Sequence, residues 1–285
     1  MPELPEVETV RRRLAELITG QSIVKIQVLH PKSFLGESTE LIGKQIKAVE
    51  RRAKILHLKL SDHKSILIHL KMTGQLIYQQ GESRVGGGHP SADWTKSLPS
   101  SHTRLIFFLQ AHNLPPAKLF FNDQRIFGWI KLMETEDAEN QLDLLAPDVI
   151  DDEITVELVQ QKLLRRTVPI KQAIMDAKVF SGVGNIYACE ALFDSKILPT
   201  RPAKSLSIQE TKLLLTNCKK IINQAIELGG TTFDGHYVTV DGLAGGYQAK
   251  LKIYGRKSNC LNCGSPISRF KLGGRGTYAC LTCQK

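Results

Sequence analysis

Between residues 22 and 133 the chain keeps breaking into short apolar or alternating runs, and after residue 156 it stops doing so. The runs cover 22–29, 44–50, 55–60, 65–70, 75–78, 104–110, 118–121 and 129–133, with turn-forming pairs such as Ser61-Asp62 and His112-Asn113 between them. Many short strands at this spacing predict an antiparallel sandwich or barrel-like domain. Ahead of them Val7, Val10, Leu14, Leu17 and Ile18 follow the i, i+3, i+4 rule. That spacing predicts an amphipathic helix over 5–18, with Pro5 in its first turn and Gly20 at its stop. Residues 81–101 are rich in Gly, Ser and Pro, show no period, and are expected to form a loop.

From 156 onward the period is helical, over 156–164, 170–177, 185–193 and 207–228. A chain of 285 residues is long enough for two modest domains. The expected division is 1–133 for the strand domain, 134–154 for an acidic linker, 155–245 for the helical domain and 246–285 for a C-terminal hairpin.

Charge follows the same division. Residues 1–133 hold 19 Lys and Arg against 11 Asp and Glu, 134–154 hold nine acids and no base, and 155–285 hold 19 bases against eight acids. No acid follows Asp241, against eight bases. Two basic blocks joined by an acidic connector suggest two bodies that grip one polyanion, and phosphate backbone is the commonest such partner. No window is long and apolar enough for a membrane span. The first residues carry acids where a signal peptide carries bases and an apolar core, so a cytoplasmic, nucleoid-associated location is expected.

Four of the six cysteines form Cys260-x2-Cys263-x16-Cys280-x2-Cys283. Two Cys-x2-Cys knuckles on a β-hairpin suit one structural zinc ion with four thiolate ligands, leaving no open position for water. The rival reading is a pair of disulfides, which secretion would favour and nothing here indicates. Cys189 and Cys218 fall in helical patterns and read as core thiols.

The segments PELPEVETVRR, HLKMTG, NDQRIFG, SGVGNIYACEALF, GGTT, IYGR and KLGGRGTYACLTCQK occur together and in order. In these the chain resembles the bacterial formamidopyrimidine-DNA glycosylases, over nearly its whole length apart from 81–101. The resemblance implies an α+β fold: an N-terminal antiparallel β-sandwich with an N-terminal helix, then a helical helix-two-turns-helix domain with a zinc-finger β-hairpin. DNA would lie between the domains. It also implies excision of oxidised purines (8-oxoguanine, formamidopyrimidines) from double-stranded DNA, followed by lyase cleavage at the abasic site, by a monomer.

On that resemblance Pro2, exposed once Met1 is removed, is the nucleophile. An α-amino group has a reference pKa about two to three units below that of lysine, so far more of it is neutral at pH 7. A helix N-terminus just ahead further disfavours an ammonium there. A secondary amine attacking C1′ gives an iminium directly, which expels the base and acidifies the C2′ proton. Glu3 matches the acid/base residue and Glu6 a position near the flipped base. The bland alternative is that Glu3, Glu6 and Glu8 only complement the helix dipole. Lys54, in RRAKILHL, matches a catalytic-site lysine that contacts the phosphate beside the lesion.

A base taken out of the stack leaves a hole to be filled, and Met72, Arg125 and Phe127 match the residues that fill it, with Arg125 facing the orphaned base. The family commonly reads DPRRFG where this chain has Gln124 and Ile126 in place of the proline and second arginine. One backbone contact and the choice of opposite base are thereby in question. Asn185, expected as a helix N-cap after a Gly182-Val183-Gly184 turn, matches a phosphate-binding position. His69, His102, Lys171 and Arg275 are placed among the DNA contacts, and 231–248 matches a base-capping loop. The competing readings are an endonuclease VIII-type enzyme for oxidised pyrimidines, whose start commonly reads Pro-Glu-Gly-Pro-Glu where this chain has Leu4, and a non-catalytic zinc-ribbon DNA-binding protein.

Overall fold

In a computed structural model the described residues are 2–88, 97–231 and 245–285. They divide into two compact units, 1–144 with 228–248, and 145–227 with 249–285. The base-capping segment, expected with the helices, therefore clusters with the strand domain at both its described ends.

The first unit opens with α1 (Leu4–Ile18) and carries ten strands among the described residues. They are β1 (Ser22–Val28), β2 (Phe34–Leu35), β3 (Ile46–Arg52), β4 (Ile55–Leu60), β5 (Lys64–His69), β6 (Gly74–Gln80), β7 (Ser83–Gly88), β8 (Thr103–Gln110), β9 (Ala117–Asp123) and β10 (Trp129–Glu134). The eight expected runs match β1, β3–β6 and β8–β10 to within about two residues at most ends. β2 and β7 lie outside the expected runs, and β7 begins the segment expected to be a loop; 89–96 lie outside the described residues.

Two five-stranded sheets result, in the orders β1-β8-β9-β6-β7 and β2-β10-β5-β4-β3. Pairing is antiparallel except for the short parallel β2–β10 contact. Alternate residues face inward, as the strand period requires: Leu56 and Leu58 of β4, Ile66 and Ile68 of β5, Leu105, Phe107 and Leu109 of β8, and Leu119 and Phe121 of β9 form one core. Val7, Val10, Leu14 and Ile18 of α1 join that core. The helix packs along β3 and β7, each the edge strand of its sheet. It covers backbone that would otherwise be left as open sheet edge, and it fixes the start of the chain against the sandwich.

The acidic linker contains a helix, α2 (Thr135–Asp143), which packs on β5 and β10. The second unit contains α3 (Val156–Leu164), α4 (Ile170–Ile174), α5 (Asn185–Asp194) and α6 (Ile208–Glu227), then the hairpin strands β11 (Ser268–Leu272) and β12 (Arg275–Ala279). Gly273 and Gly274 both have positive φ, +56° and +75°. That is what a two-residue hairpin turn matched to strand twist demands. Among the described residues no helix is long and apolar enough to cross a membrane.

Candidate active site and nucleic-acid interface

The expected site residues fall into four groups, three in the first unit and one in the second. The first is the start of α1. Pro2 is buried directly before Glu3, the N-cap. Glu3 and Glu6 close a capping box. The Glu3 N–H donates to Glu6 Oε2 at 2.7 Å. Glu6 Oε1 accepts from the Thr231 N–H at 2.9 Å and from the Thr231 hydroxyl at 3.2 Å. Gly230, at φ +84°, lies so close that a Cβ there would stand 2.7 Å from Glu6 Oε1. Thr231 in turn bridges to Gly246, so the ends of 232–244 are tied together beside Glu6; the expected loop itself lies outside the described residues.

The second group joins Lys54 and His69. Ile55 of β4 pairs with His69 of β5, which pairs with Trp129 of β10. The imidazole lies against the indole with centroids 5.7 Å apart. Burial, helped by the charges of Lys71 and Lys54, pushes His69 down to about 3, so the ring is neutral near pH 7. Its Nδ1 accepts the Lys71 N–H at 3.0 Å. The proton therefore resides on Nε2, leaving a neutral N–H donor suited to a phosphate oxygen beside the cation of Lys54.

Lys54 is presented by a turn whose support has no sequence signal of its own. Glu8 on α1 accepts from Arg51 Nε at 3.0 Å, and the same guanidinium donates to the Ala53 carbonyl at 2.8 Å. Ala53 has φ +54°. Burial alone would raise the Glu8 carboxyl; hydrogen bonds from Arg11, Arg51 and Arg12 outweigh it and hold the group at about 2.

The third group comprises Met72, Arg125 and Phe127, with His102 at its edge. Met72 is 37% exposed and Phe127 53% exposed, so neither is the core residue its type would suggest. The Arg125 guanidinium stacks over the Phe127 ring, 4.8 Å from its centroid. The His102 carbonyl accepts the Asp123 N–H at 2.9 Å. Lys71, beside Met72, has φ +51°, and Ile126, between Arg125 and Phe127, has φ +57°. Of the six non-glycine residues with positive φ among the described residues, three (Ala53, Lys71 and Ile126) flank expected site residues. Left-handed backbone at such residues costs about 1–3 kcal/mol and concentrates at functional sites.

The fourth group lies in the second unit. Asn185 is the first residue of α5 and not its N-cap, which is Gly184. The Asn185 amide donates to the Gly276 carbonyl at 3.0 Å and to the Tyr254 hydroxyl at 3.2 Å. Lys171, only 1% exposed, donates to the same carbonyl at 3.1 Å and to the Thr277 hydroxyl at 2.7 Å. Both side chains thus hold the backbone next to Arg275, which is exposed at the hairpin turn. Glu190, a buried carboxylate in the apolar middle of α5, is a residue that sequence reasoning missed. It accepts the N–H groups of Lys252, Ile253 and Tyr254 at 2.7–3.0 Å, and burial pushes its pKa up. An acid in the middle of NIYACEALF was the available signal.

The four sulfurs of Cys260, Cys263, Cys280 and Cys283 lie within 4.8 Å of one another. The Cys260–Cys283 and Cys263–Cys280 separations are 3.9 and 3.5 Å. A tetrahedral zinc ion with Zn–S bonds of about 2.3 Å needs sulfurs about 3.8 Å apart. A disulfide needs about 2.0 Å. The donor set fits one structural zinc ion. Cys189 and Phe193 of α5 pack with Ile253, Cys260 and Cys280, so the zinc site rests on α5.

Family comparison agrees with this arrangement. Residues 1–130 match the formamidopyrimidine-DNA glycosylase N-terminal domain, 145–236 the formamidopyrimidine-DNA glycosylase H2TH domain, and 258–285 the zinc finger found in FPG and IleRS. The chain is 38% identical to a formamidopyrimidine-DNA glycosylase of Exiguobacterium sp. and 36% identical to one of Listeria monocytogenes, each over 100% of both chains. Among solved structures it resembles the MutM (Fpg) protein of Thermus thermophilus, with TM-score 0.85 and 34% identity over 99% of this chain and 98% of that one. It also resembles a Lactococcus lactis Fpg mutant in complex with a Fapy-dG-containing DNA, with TM-score 0.88 and 29% identity over 100% of both. The chain belongs to the formamidopyrimidine-DNA glycosylase family.

Proposed function

We infer that this protein is a base-excision repair enzyme that removes oxidised purines from double-stranded DNA and then cleaves the strand at the abasic site. It acts as a monomer in the bacterial cytoplasm. The observation that carries the reading is the buried start of α1, where Pro2 directly precedes an N-cap glutamate and a second carboxylate one turn on.

With Met1 removed, the Pro2 nitrogen attacks C1′ of the damaged nucleoside. The N-glycosidic bond breaks, its electron pair leaves with the base, and a carboxylic acid supplies the proton that the departing base or the sugar ring oxygen needs. Glu3 is that acid. The Pro2 nitrogen gives up its proton, the C1′–O4′ bond breaks with its electron pair and a proton going to O4′, and the resulting iminium acidifies the C2′ proton. Removal of that proton expels the 3′ phosphate by breaking the C3′–O bond, and a second elimination expels the 5′ phosphate by breaking the C5′–O bond. Lys54 and the neutral His69 hold phosphates beside the lesion, while Asn185 and Arg275 grip the backbone; Lys171, expected as a DNA contact, is buried and instead fixes the hairpin that carries Arg275. Met72, Arg125 and Phe127 occupy the space left by the extruded base. The zinc ion, when bound, holds the hairpin together and supplies no chemistry to the reaction.

Borohydride added during turnover of an 8-oxoguanine duplex tests the reading. It should trap a covalent protein–DNA adduct whose DNA-linked peptide begins at residue 2. An adduct centred on a lysine removes Pro2 from its role. Absence of any adduct or strand cleavage would leave only a DNA-binding module, and faster excision of thymine glycol than of 8-oxoguanine would reassign the substrate to oxidised pyrimidines.

A further inference from the structure

Met72 and the Arg125–Phe127 pair stand on different connections of the sandwich, one between β5 and β6 and one between β9 and β10. Connections of this kind ordinarily move independently. Here one buried carboxylate joins them. Asp123 is 0% exposed at the end of β9. Its Oδ1 accepts from the hydroxyl of Thr73, the residue after Met72. The same oxygen accepts the Arg125 N–H at 3.2 Å, and Oδ2 accepts the Gly128 N–H at 2.6 Å. Thr73 Oγ1 completes the link by accepting the Arg125 N–H at 3.0 Å.

The backbone of Asp123 is itself fixed. Its N–H donates to the His102 carbonyl at 2.9 Å, and its carbonyl accepts from Arg104 Nε at 2.8 Å. The space around it admits little movement. A Cβ on Gly128 would meet Phe121 at 2.8 Å and Asp123 Oδ2 at 3.0 Å, and one on Gly74 would stand 2.4 Å from the Leu70 carbonyl oxygen.

The turn so held is one the sequence alone would not adopt. Ile126 is β-branched, exposed and left-handed at φ +57°, a conformation such residues avoid. Met72, Ile126 and Phe127 all present apolar surface to solvent. Relaxation would bury that surface and relieve Ile126. Two accepting oxygens clamped on the N–H groups either side of Ile126 and Phe127 oppose it.

We propose that Asp123 and Thr73 are positioning residues for base displacement: the Asp123 carboxylate locks Met72, Arg125 and Phe127 into one rigid wedge. This rests on the role given above to those three side chains. A base leaves the stack only against an unstacking cost, and a wedge assembled in advance does not spend binding energy on its own ordering. An amide does not reproduce the carboxylate, because one of its two positions would present N–H toward the backbone N–H of Arg125 or of Gly128, each of which can only donate.

The test compares Asp123→Asn, Thr73→Val and Thr73→Ser in the full-length, zinc-loaded protein. Single-turnover excision of 8-oxoguanine from duplex DNA should fall roughly 100-fold in Asp123→Asn and Thr73→Val, the scale for misplaced groups away from the reacting atoms. Thr73→Ser, which keeps the hydroxyl, should restore it. The fluorescence rise of 2-aminopurine beside the lesion, which reports unstacking, should slow in parallel. Strand cleavage at a preformed abasic site, where the gap is still to be filled but no base remains to be displaced, should fall several-fold less than excision does. Should Asp123→Asn fail to fold, the Thr73 pair decides. Unchanged excision in Thr73→Val, or an equal loss of excision and abasic-site cleavage, overturns the proposal. An unsubstituted protein that performs neither reaction overturns instead the function on which it rests.

Discussion

Glu6 Oε1 lies 2.9 Å from the backbone nitrogen of Thr231, and Glu6 Oε2 lies 2.7 Å from that of Glu3. One buried carboxylate thus spans 225 residues of sequence, with an oxygen on the helix start that carries Pro2 and an oxygen on the stem of the 232–244 segment. An amide at this position would turn an N–H toward one of the two donors. Glu6→Gln should therefore destabilise the first unit by about 1–3 kcal/mol, the cost of a buried donor left unsatisfied. Gly230→Ala should cost at least as much, since its Cβ would stand 2.7 Å from the same oxygen at φ +84°. Urea unfolding of both variants measures this. Wild-type midpoints would show that the bridge carries no load.

Glu8 gives a prediction in pH. Its folded-state carboxyl lies at about 2 against an ordinary 4.5. A depressed folded value contributes stability that is present in full above 4.5 and is lost as pH falls from there toward 2, amounting to about 3 kcal/mol. Glu8→Gln should remove that part of the acid transition and take the Glu8 carboxylate away from the Arg51 guanidinium, buried beside Ala53. At neutral pH the variant should unfold about 3 kcal/mol more easily, and because Arg51 also holds the Ala53 carbonyl ahead of Lys54, it should cleave abasic DNA more slowly. Thermal melts between pH 3 and 7 decide the matter: parallel curves for the two proteins would contradict the assignment.

The sandwich was legible because its strands carry apolar side chains at a period of two around a single core, as Leu105, Phe107 and Leu109 do in β8. β7 was not, because Gly86, Gly87 and Gly88 have no side chains to alternate. Its place is set by pairing with β6 and by α1 against it. α2 read as a linker for a similar reason. Of its nine residues only Ala138 and Leu142 are buried, too few to show a period, and two of its acids, Glu136 and Asp137, sit in the first turn, where the helix dipole favours them.

In the site, what chemistry demands at short range could be read directly. Pro2 and Glu3 are neighbours, and the four cysteines follow a ligand spacing. The devices that hold the site could not, because they join residues far apart in sequence: Glu8 with Arg51, Thr73 with Asp123, Lys171 with Thr277. Asn185 shows the intermediate case. Its position at the start of α5 was visible, while its bond to the Gly276 carbonyl depends on the hairpin folding back onto that helix.

That folding back leads to the effect of losing zinc. The hairpin spans few residues, and its buried contacts are largely Cys260 and Cys280 packed against Cys189, Phe193 and Ile253. A structural zinc ion contributes on the order of 10–16 kcal/mol to such a small element, more than so few contacts supply. Cys260→Ser, or chelation of the wild type, should therefore disorder 258–285 while the sandwich keeps its far-ultraviolet signal. Disorder of the hairpin also withdraws the Gly276 carbonyl and Thr277 hydroxyl from Lys171, leaving an ammonium group buried in α4 without those acceptors. The second unit should melt earlier as a result, and affinity for an abasic duplex should fall as Arg275 loses its platform. Zinc release followed with a metallochromic dye, alongside a binding titration, tests the sequence of events. Unchanged affinity in a variant that no longer holds zinc would refute the dependence.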